Sequence, residues 1–154
     1  MIEGLELIAE SRTARGMHAN PARAVRSALD RLEQIADTTE VPDGRWPGVR
    51  DRHLERIALE LIDNALRHGR RPLEVRAWTG EGWATLEVSD AGDAQLAPDL
   101  FEAFAQGDMS ATRERGGLGL GLFIAYRLAE ADGGRLTLAH EGGRTIARVT
   151  YDIA

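Results

Sequence analysis

Gly116-Gly-Leu-Gly-Leu-Gly-Leu-Phe-Ile124 sets four glycines, at 116, 117, 119 and 121, directly before an apolar run with helical periodicity, Leu122 to Ala131. The stretch reads as a loop that opens into a helix. Glycine permits positive φ and has no Cβ to hold a ligand away, so the backbone amides of such a loop can approach an anion closely. The free N–H groups and positive dipole end of the following helix favour phosphate at the same place. A glycine-rich turn also serves simply to let a helix pack closely, so its meaning depends on what surrounds it.

What surrounds it is a chain of 154 residues, the length of one domain and enough to bury a core. An apolar fraction of 43% is ordinary for a globular protein, and a net charge of -6 provides no general field for a polyanion. Short arginine-rich pieces occur at Arg67 to Arg71 and Arg113 to Arg115, too little for a nucleic-acid surface. With no cysteine there is no disulfide framework, thiolate catalysis or thiolate metal site. No apolar run is long enough to span a bilayer, and acidic residues follow Met1 closely, so neither a membrane helix nor a secretory signal is expected. The expected location is cytoplasmic, alone or as the cytoplasmic part of a larger membrane-bound sensor.

Upstream, Ile2, Leu5, Leu7 and Ile8 give a short helical pattern, and Gly16 to Asn20 punctuates it. Pro21 suits a first helical turn with Asn20 as its N-cap, and Ala24, Val25, Ala28, Leu29, Leu32 and Ile35 continue the stripe of a packing helix. Thr38 to Val41 reads as a short strand, and Pro42, Gly44, Pro47 and Gly48 form a loop carrying Trp46. From His53 to His68, Leu54, Ile57, Ala58, Leu61, Ile62 and Ala65 share one helical face. Glu60, Asn64, Arg67 and His68 share another. An acid–base pair such as Glu60 with Arg56 or Arg67 is ordinary on a solvated face. Asn64 is less ordinary, because an interior asparagine competes for backbone groups, and it suggests a metal or phosphate contact.

Leu73 to Trp78 and Trp83 to Val88 predict a β-hairpin about Thr79-Gly-Glu-Gly82, with Trp78 and Trp83 packing across it. Asp90-Ala-Gly92 follows at a strand end, where a plain turn would look the same. Leu100-Phe-Glu-Ala-Phe104 places two aromatics on one helical turn, and Ala105 to Glu114 is polar with no apolar stripe. After the helix at Leu122 to Ala131, Arg135 to His140 and Thr145 to Ile153 predict a closing hairpin around Glu141-Gly-Gly143, with His140 solvated near its turn.

In order, Glu60-Leu-Ile-Asp-Asn64-Ala, Asp90-Ala-Gly92, Phe101-Glu-Ala-Phe104 and Gly117-Leu-Gly119-Leu-Gly121-Leu resemble the N, G1, F and G2 boxes of the catalytic ATP-binding domain of sensor histidine kinases. That family lies within the wider superfamily of gyrase, Hsp90 and MutL, and the match covers roughly Pro21 to Ile153. The resemblance implies a Bergerat-type α/β two-layer sandwich, a mixed and mostly antiparallel sheet with helices on one face and ATP held beneath a lid. It divides the chain into residues 1–16, the remnant of a dimerisation helix or a linker, and 17–154, the catalytic domain.

The same resemblance implies that Asn64 holds Mg²⁺, that Asp90 accepts the adenine amino group, and that Gly92 lets the base approach the backbone. Phe101 and Phe104 would anchor a lid from Ala105 to Arg115, whose Arg113 and Arg115 would reach phosphate. The backbone of Gly117, Leu118, Gly119, Leu120 and Gly121 would meet the phosphates, and Arg67 and His68 would touch phosphate and ribose. Glu60 stands where histidine kinases often have Asn and where ATP-hydrolysing relatives use Glu to activate water. Ala94 replaces the usual second glycine of the G1 box, and the connection from Asp90 to Phe101 is about three residues shorter than the family's common length. No His-Glu/Asp-x-x-x-Pro phosphoacceptor motif is present. The implied activity is presentation of the γ-phosphate of Mg-ATP to a histidine on a separate dimerisation domain, with a response regulator downstream. Two other readings stand beside it, a degenerate nucleotide-binding or protein-interaction module without kinase activity and a stand-alone anti-sigma serine kinase.

Overall fold

The structure, a computed structural model, describes residues 17–93 and 118–153. The expectations for residues 1–16, for Phe101 and Phe104, for the lid with Arg113 and Arg115, and for Gly117 lie outside the described residues.

The described chain runs β1 (His18–Ala19), α1 (Pro21–Leu32), β2 (Thr38–Glu40), β3 (Trp46–Pro47), α2 (Asp51–His68), β4 (Glu74–Gly80), β5 (Trp83–Asp90), α3 (Leu118–Ala131), β6 (Gly134–Glu141) and β7 (Arg144–Asp152). Helix α1 starts as its sequence dictates, since Asn20 Oδ1 accepts from the amides of Ala22 and Arg23 and Pro21 fills the first turn. It ends earlier than its stripe suggests. Glu33 adopts φ 54, the amides of Glu33 and Gln34 close back onto Asp30 and Leu29, and Ile35 is left 77% exposed beyond the end.

Five strands form one mixed sheet in the order β2-β4-β5-β7-β6, with β2 parallel to β4 and every other pair antiparallel. The alternation of side chains along a strand divides it into two faces. Val75, Ala77, Leu86, Val88, Ala147, Val149, Tyr151 and Leu136 are buried on the face that receives the helices. Leu54, Ile57, Ala58, Leu61 and Ile62 of α2 and Leu122, Ala125 and Leu128 of α3 complete that core. The opposite face carries ion pairs instead, among them Arg148 Nε to Glu87 Oε2 at 2.6 Å and Arg144 Nη2 to Glu74 Oε2 at 3.0 Å.

Both predicted hairpins form. In the first, Gly82 supplies the positive φ of the turn, and the Trp83 ring lies over Gly80, where a Cβ would meet it at 2.3 Å. In the second, Gly142 and Gly143 both have positive φ, as a two-residue turn matched to strand twist requires. Trp46 is buried rather than carried on an open loop, and its ring sits 6.1 Å from that of Tyr151. A fully buried contact, His53 Nδ1 to Asp132 Oδ2 at 2.9 Å, ties the start of α2 to the turn after α3. Burial, with the Asp132 carboxylate, pushes the Tyr151 phenol well above its ordinary range, so it stays neutral.

Candidate functional site

Helix α2 and the ends of three strands line a pocket that opens to solvent. Leu61, Ala65, Val88, Leu138 and Ala147 make its apolar walls, while Asn64, His68, Asp90 and Thr145 supply its polar groups. An apolar slot with a few convergent polar groups is the general form of a small-molecule site. Asn64 and His68 are one helical turn apart and so project along one side of α2, which explains how both reach the slot. Neither the Asn64 amide nor the Asp90 oxygen Oδ2 takes a hydrogen bond from a described residue.

Asp90 is 5% exposed at the last position of β5. Its Oδ1 accepts from Gly92 N at 2.7 Å and Arg70 N at 3.2 Å, while Ala91 N donates to Arg70 O at 2.7 Å. These bonds hold one carboxylate oxygen against the backbone and leave the other for a ligand. Two glycines make room for this. A Cβ on Gly69 would stand 2.2 Å from Asp90 Oδ1 and one on Gly92 would stand 2.8 Å from it. Of these, Gly92 is readable as part of Asp-x-Gly, whereas sequence reading gives Gly69 no role.

Thr145 is a site residue that sequence reading missed, since in sequence it is one more position of an alternating strand. Strand register brings it in, because Thr145 is the cross-strand partner of Asp90 on the β5–β7 pair. Its hydroxyl donates to Gly92 O at 3.0 Å and so buttresses the turn that shapes Asp90.

The glycine-rich stretch enters the helix earlier than expected, with α3 beginning at Leu118 rather than Leu122. Leu118, Gly119, Leu120 and Gly121 are thus its first four residues, the ones whose N–H groups have no partner within the helix. Of the amides expected to meet an anion, those of residues 118–121 are therefore helix N-terminal amides. Gly121 packs against α2, where a Cβ would stand 2.8 Å from Glu60 Oε1, and Arg56 Nε holds the other Glu60 oxygen at 2.7 Å. The two stretches singled out in the sequence therefore meet in space, one helical turn from Asn64. Glu60 itself is half-buried at that helix contact and is not among the residues lining the pocket. Arg67 is 72% exposed and paired with Asp63 at 2.9 Å, also outside the pocket lining. Among the described residues no cluster of three or more His, Asp or Glu is arranged to hold a metal ion.

Residues 49–154 match the family described as "Histidine kinase-, DNA gyrase B-, and HSP90-like ATPase". "Sensor protein CutS" of Streptomyces coelicolor is 33% identical over 99% of this chain, which spans 40% of that relative's length. "Probable sensor histidine kinase TcrY" of Mycobacterium tuberculosis is 30% identical over 94% of the chain, which spans 33% of it. Among solved structures, "Acinetobacter baumannii histidine kinase AdeS" superimposes with a TM-score of 0.69 at 19% identity, covering 99% of this chain and 76% of that one. The catalytic domain of histidine kinase ThkA in a nucleotide-free form gives 0.68 at 13% identity, covering 89% and 96%.

Proposed function

The chain belongs to the histidine kinase-, DNA gyrase B- and HSP90-like ATPase family, and from that premise we propose that it is the ATP-binding catalytic domain of a two-component sensor histidine kinase. Its reaction is transfer of the γ-phosphoryl group of ATP to a histidine on a separate dimerisation domain, which then supplies a response regulator. The observation that carries the reading is the convergence of Asn64, His68 and Asp90 on one apolar slot, with the N-terminal turn of α3 packed one helical turn away.

Asp90 Oδ2 accepts the adenine amino group, and the walls of Leu61, Val88, Leu138 and Ala147 bury the ring. A carboxylate suits adenine because guanine places a carbonyl, a second acceptor, at that position. The amides at 118–121 and the helix dipole stabilise phosphate charge, and His68 lies on the ribose side. The chemistry asked of the protein is positioning and electrostatic stabilisation. Mg²⁺ would be held by the Asn64 amide oxygen, a hard neutral ligand with no partner to give up among the described residues, together with phosphate oxygens and water. When bound, the ion neutralises charge on the phosphates. Arg67, Arg113 and Arg115 are assigned to phosphate, Gly117 to the phosphate loop, and Phe101 and Phe104 to the lid anchor.

Glu60 is assigned to the edge of the catalytic centre. Its carboxylate is held by Arg56 and backed against Gly121, which gives it less freedom to activate water than a free carboxylate has. The reading is tested by incubating the chain with γ-labelled ATP and a histidine-bearing dimerisation domain from a sensor kinase. Label should appear on that histidine only with Mg²⁺, and the Asn64→Ala protein should give none. Binding of nucleotide without transfer to any such domain would support the interaction-module reading instead.

A further inference from the structure

Asp90, Thr145 and His140 form a row across three adjacent strands, and the outermost member has no part in the reading above. Asp90 is the cross-strand partner of Thr145, and Thr145 is that of His140. The row lies two positions from Val88, Ala147 and Leu138, the pocket walls, and so on the same face of the sheet.

The hydrogen bonds along this row run in one direction. Gly92 O is a carbonyl and can only accept, so the single proton of the Thr145 hydroxyl is committed to it at 3.0 Å. His140 Nδ1 lies 3.2 Å from the same hydroxyl oxygen. With its proton so placed, that oxygen accepts from the ring, an arrangement that requires a hydrogen on Nδ1. The chain is therefore Nδ1–H to Oγ1–H to O=C of Gly92. It fixes the hydroxyl rotor, pins the Asp90–Gly92 turn, and leaves Thr145 as an acceptor toward the pocket. In the other tautomer Nδ1 would accept, drawing the hydroxyl proton away from Gly92 and releasing the turn.

We propose that His140 is a positioning residue for the base end of the pocket, acting through Thr145 to hold the Asp90–Gly92 turn in its binding geometry. The proposal rests on the reading of this pocket as an adenine-nucleotide site. His140 touches no ligand in this account; it sets the direction of a hydroxyl that lines the pocket. An exposed histidine near a hairpin turn gives no such signal in sequence, because the row exists only once β6, β7 and β5 are in register.

Calorimetric titration of ATP into wild type, His140→Ala, Thr145→Val, the double variant and His140→Asn tests this, with thermal melts confirming that each variant is folded. His140→Ala should weaken binding about fivefold, the scale of one neutral hydrogen bond. His140→Asn should recover most of that loss, since its amide N–H can donate where Nδ1 did. In the Thr145→Val background, His140→Ala should cost nothing further, because the group it acts on is gone. Additive losses in the double variant, or no loss in His140→Ala, would overturn the proposal. Nitrogen NMR of the ring gives a readout independent of nucleotide: Nδ1–H is expected in wild type, and Nε2–H with unprotonated Nδ1 would refute the chain. Failure of the underlying reading looks different, since then wild type itself binds no ATP and both ideas fall. ATP binding weakened by Asp90→Asn but untouched by His140→Ala would sink this proposal alone.

Discussion

The Asp90 carboxylate takes its position because two neighbours have no side chain. A Cβ on Gly69 would meet the carboxylate at 2.2 Å and the Ala65 carbonyl at 2.6 Å, so neither rotation nor a small shift accommodates it. Gly69→Ala is expected to leave a folded protein whose nucleotide affinity is lost, read by circular dichroism beside calorimetry. Gly133 supplies the contrast, since it has φ +77 and open space where a Cβ would go. Gly133→Ala should lower stability by about 1–2 kcal/mol, the cost of a left-handed conformation for a residue with a Cβ, and leave binding unchanged. Asn64 belongs to the same scale. Asn64→Ala should abolish the Mg²⁺-dependent part of ATP affinity and spare metal-free binding, and equal loss with and without the ion would mean that the residue shapes the pocket instead. At this scale Asn64 was legible because an interior asparagine is an odd choice for a helix, whereas Asp90 and Gly92 were legible only through their place in the order of motifs, since Asp-x-Gly alone reads as a plain turn. Thr145 and Gly69 were not, because each is ordinary for a strand and a helix end until the partner strand or the Asp90 carboxylate is seen beside it.

Elements were most legible where periodicity was long. The apolar face of α2 reads from the sequence almost unchanged, and the structure adds the buried His53 to it. Boundaries fared worse because caps and tertiary bonds set them. Helix α1 stops at Leu32 because the chain must turn so that Asp37 can meet the start of β4, where the amides of Asp37 and Thr38 both donate to Leu73 O. Asp37 fastens this junction from its side chain, accepting from Leu73 N at 2.7 Å and from Arg71 at 2.9 Å. The Leu73 amide, aided by Arg71, lowers the Asp37 carboxyl below its usual range. A group that titrates lower in the folded state than in the unfolded one binds protons more weakly when folded, so it adds stability above its unfolded value and loses it as pH falls through its lowered one. Asp37→Asn should therefore melt below wild type at neutral pH, with the gap closing as acidity passes the carboxylate range. A gap independent of pH would show that the junction depends on shape and not on the charge.

At the scale of the whole molecule, the hairpins and helices were legible one by one, and the two-layer α/β arrangement came with the resemblance that the order of their motifs carries; the structure has that arrangement, one apolar sheet face covered by helices. What no local pattern could supply was adjacency. Strand order β5-β7-β6 brings Asp90 beside Thr145 and Thr145 beside His140, and α2–α3 packing brings Glu60 against Gly121, across 61 positions of sequence in the latter case (121 − 60). The central claim is that this assembly is an adenine-nucleotide pocket read by Asp90. Calorimetry with ATP and GTP on wild type and Asp90→Asn tests it most directly. Wild type is expected to bind ATP more tightly than GTP, and Asp90→Asn, folded as judged by its melt, to lose about 1–3 kcal/mol of ATP affinity, the scale of a charged acceptor in a buried site. Unchanged ATP affinity in the folded variant, or equal affinity of wild type for the two nucleotides, would contradict it.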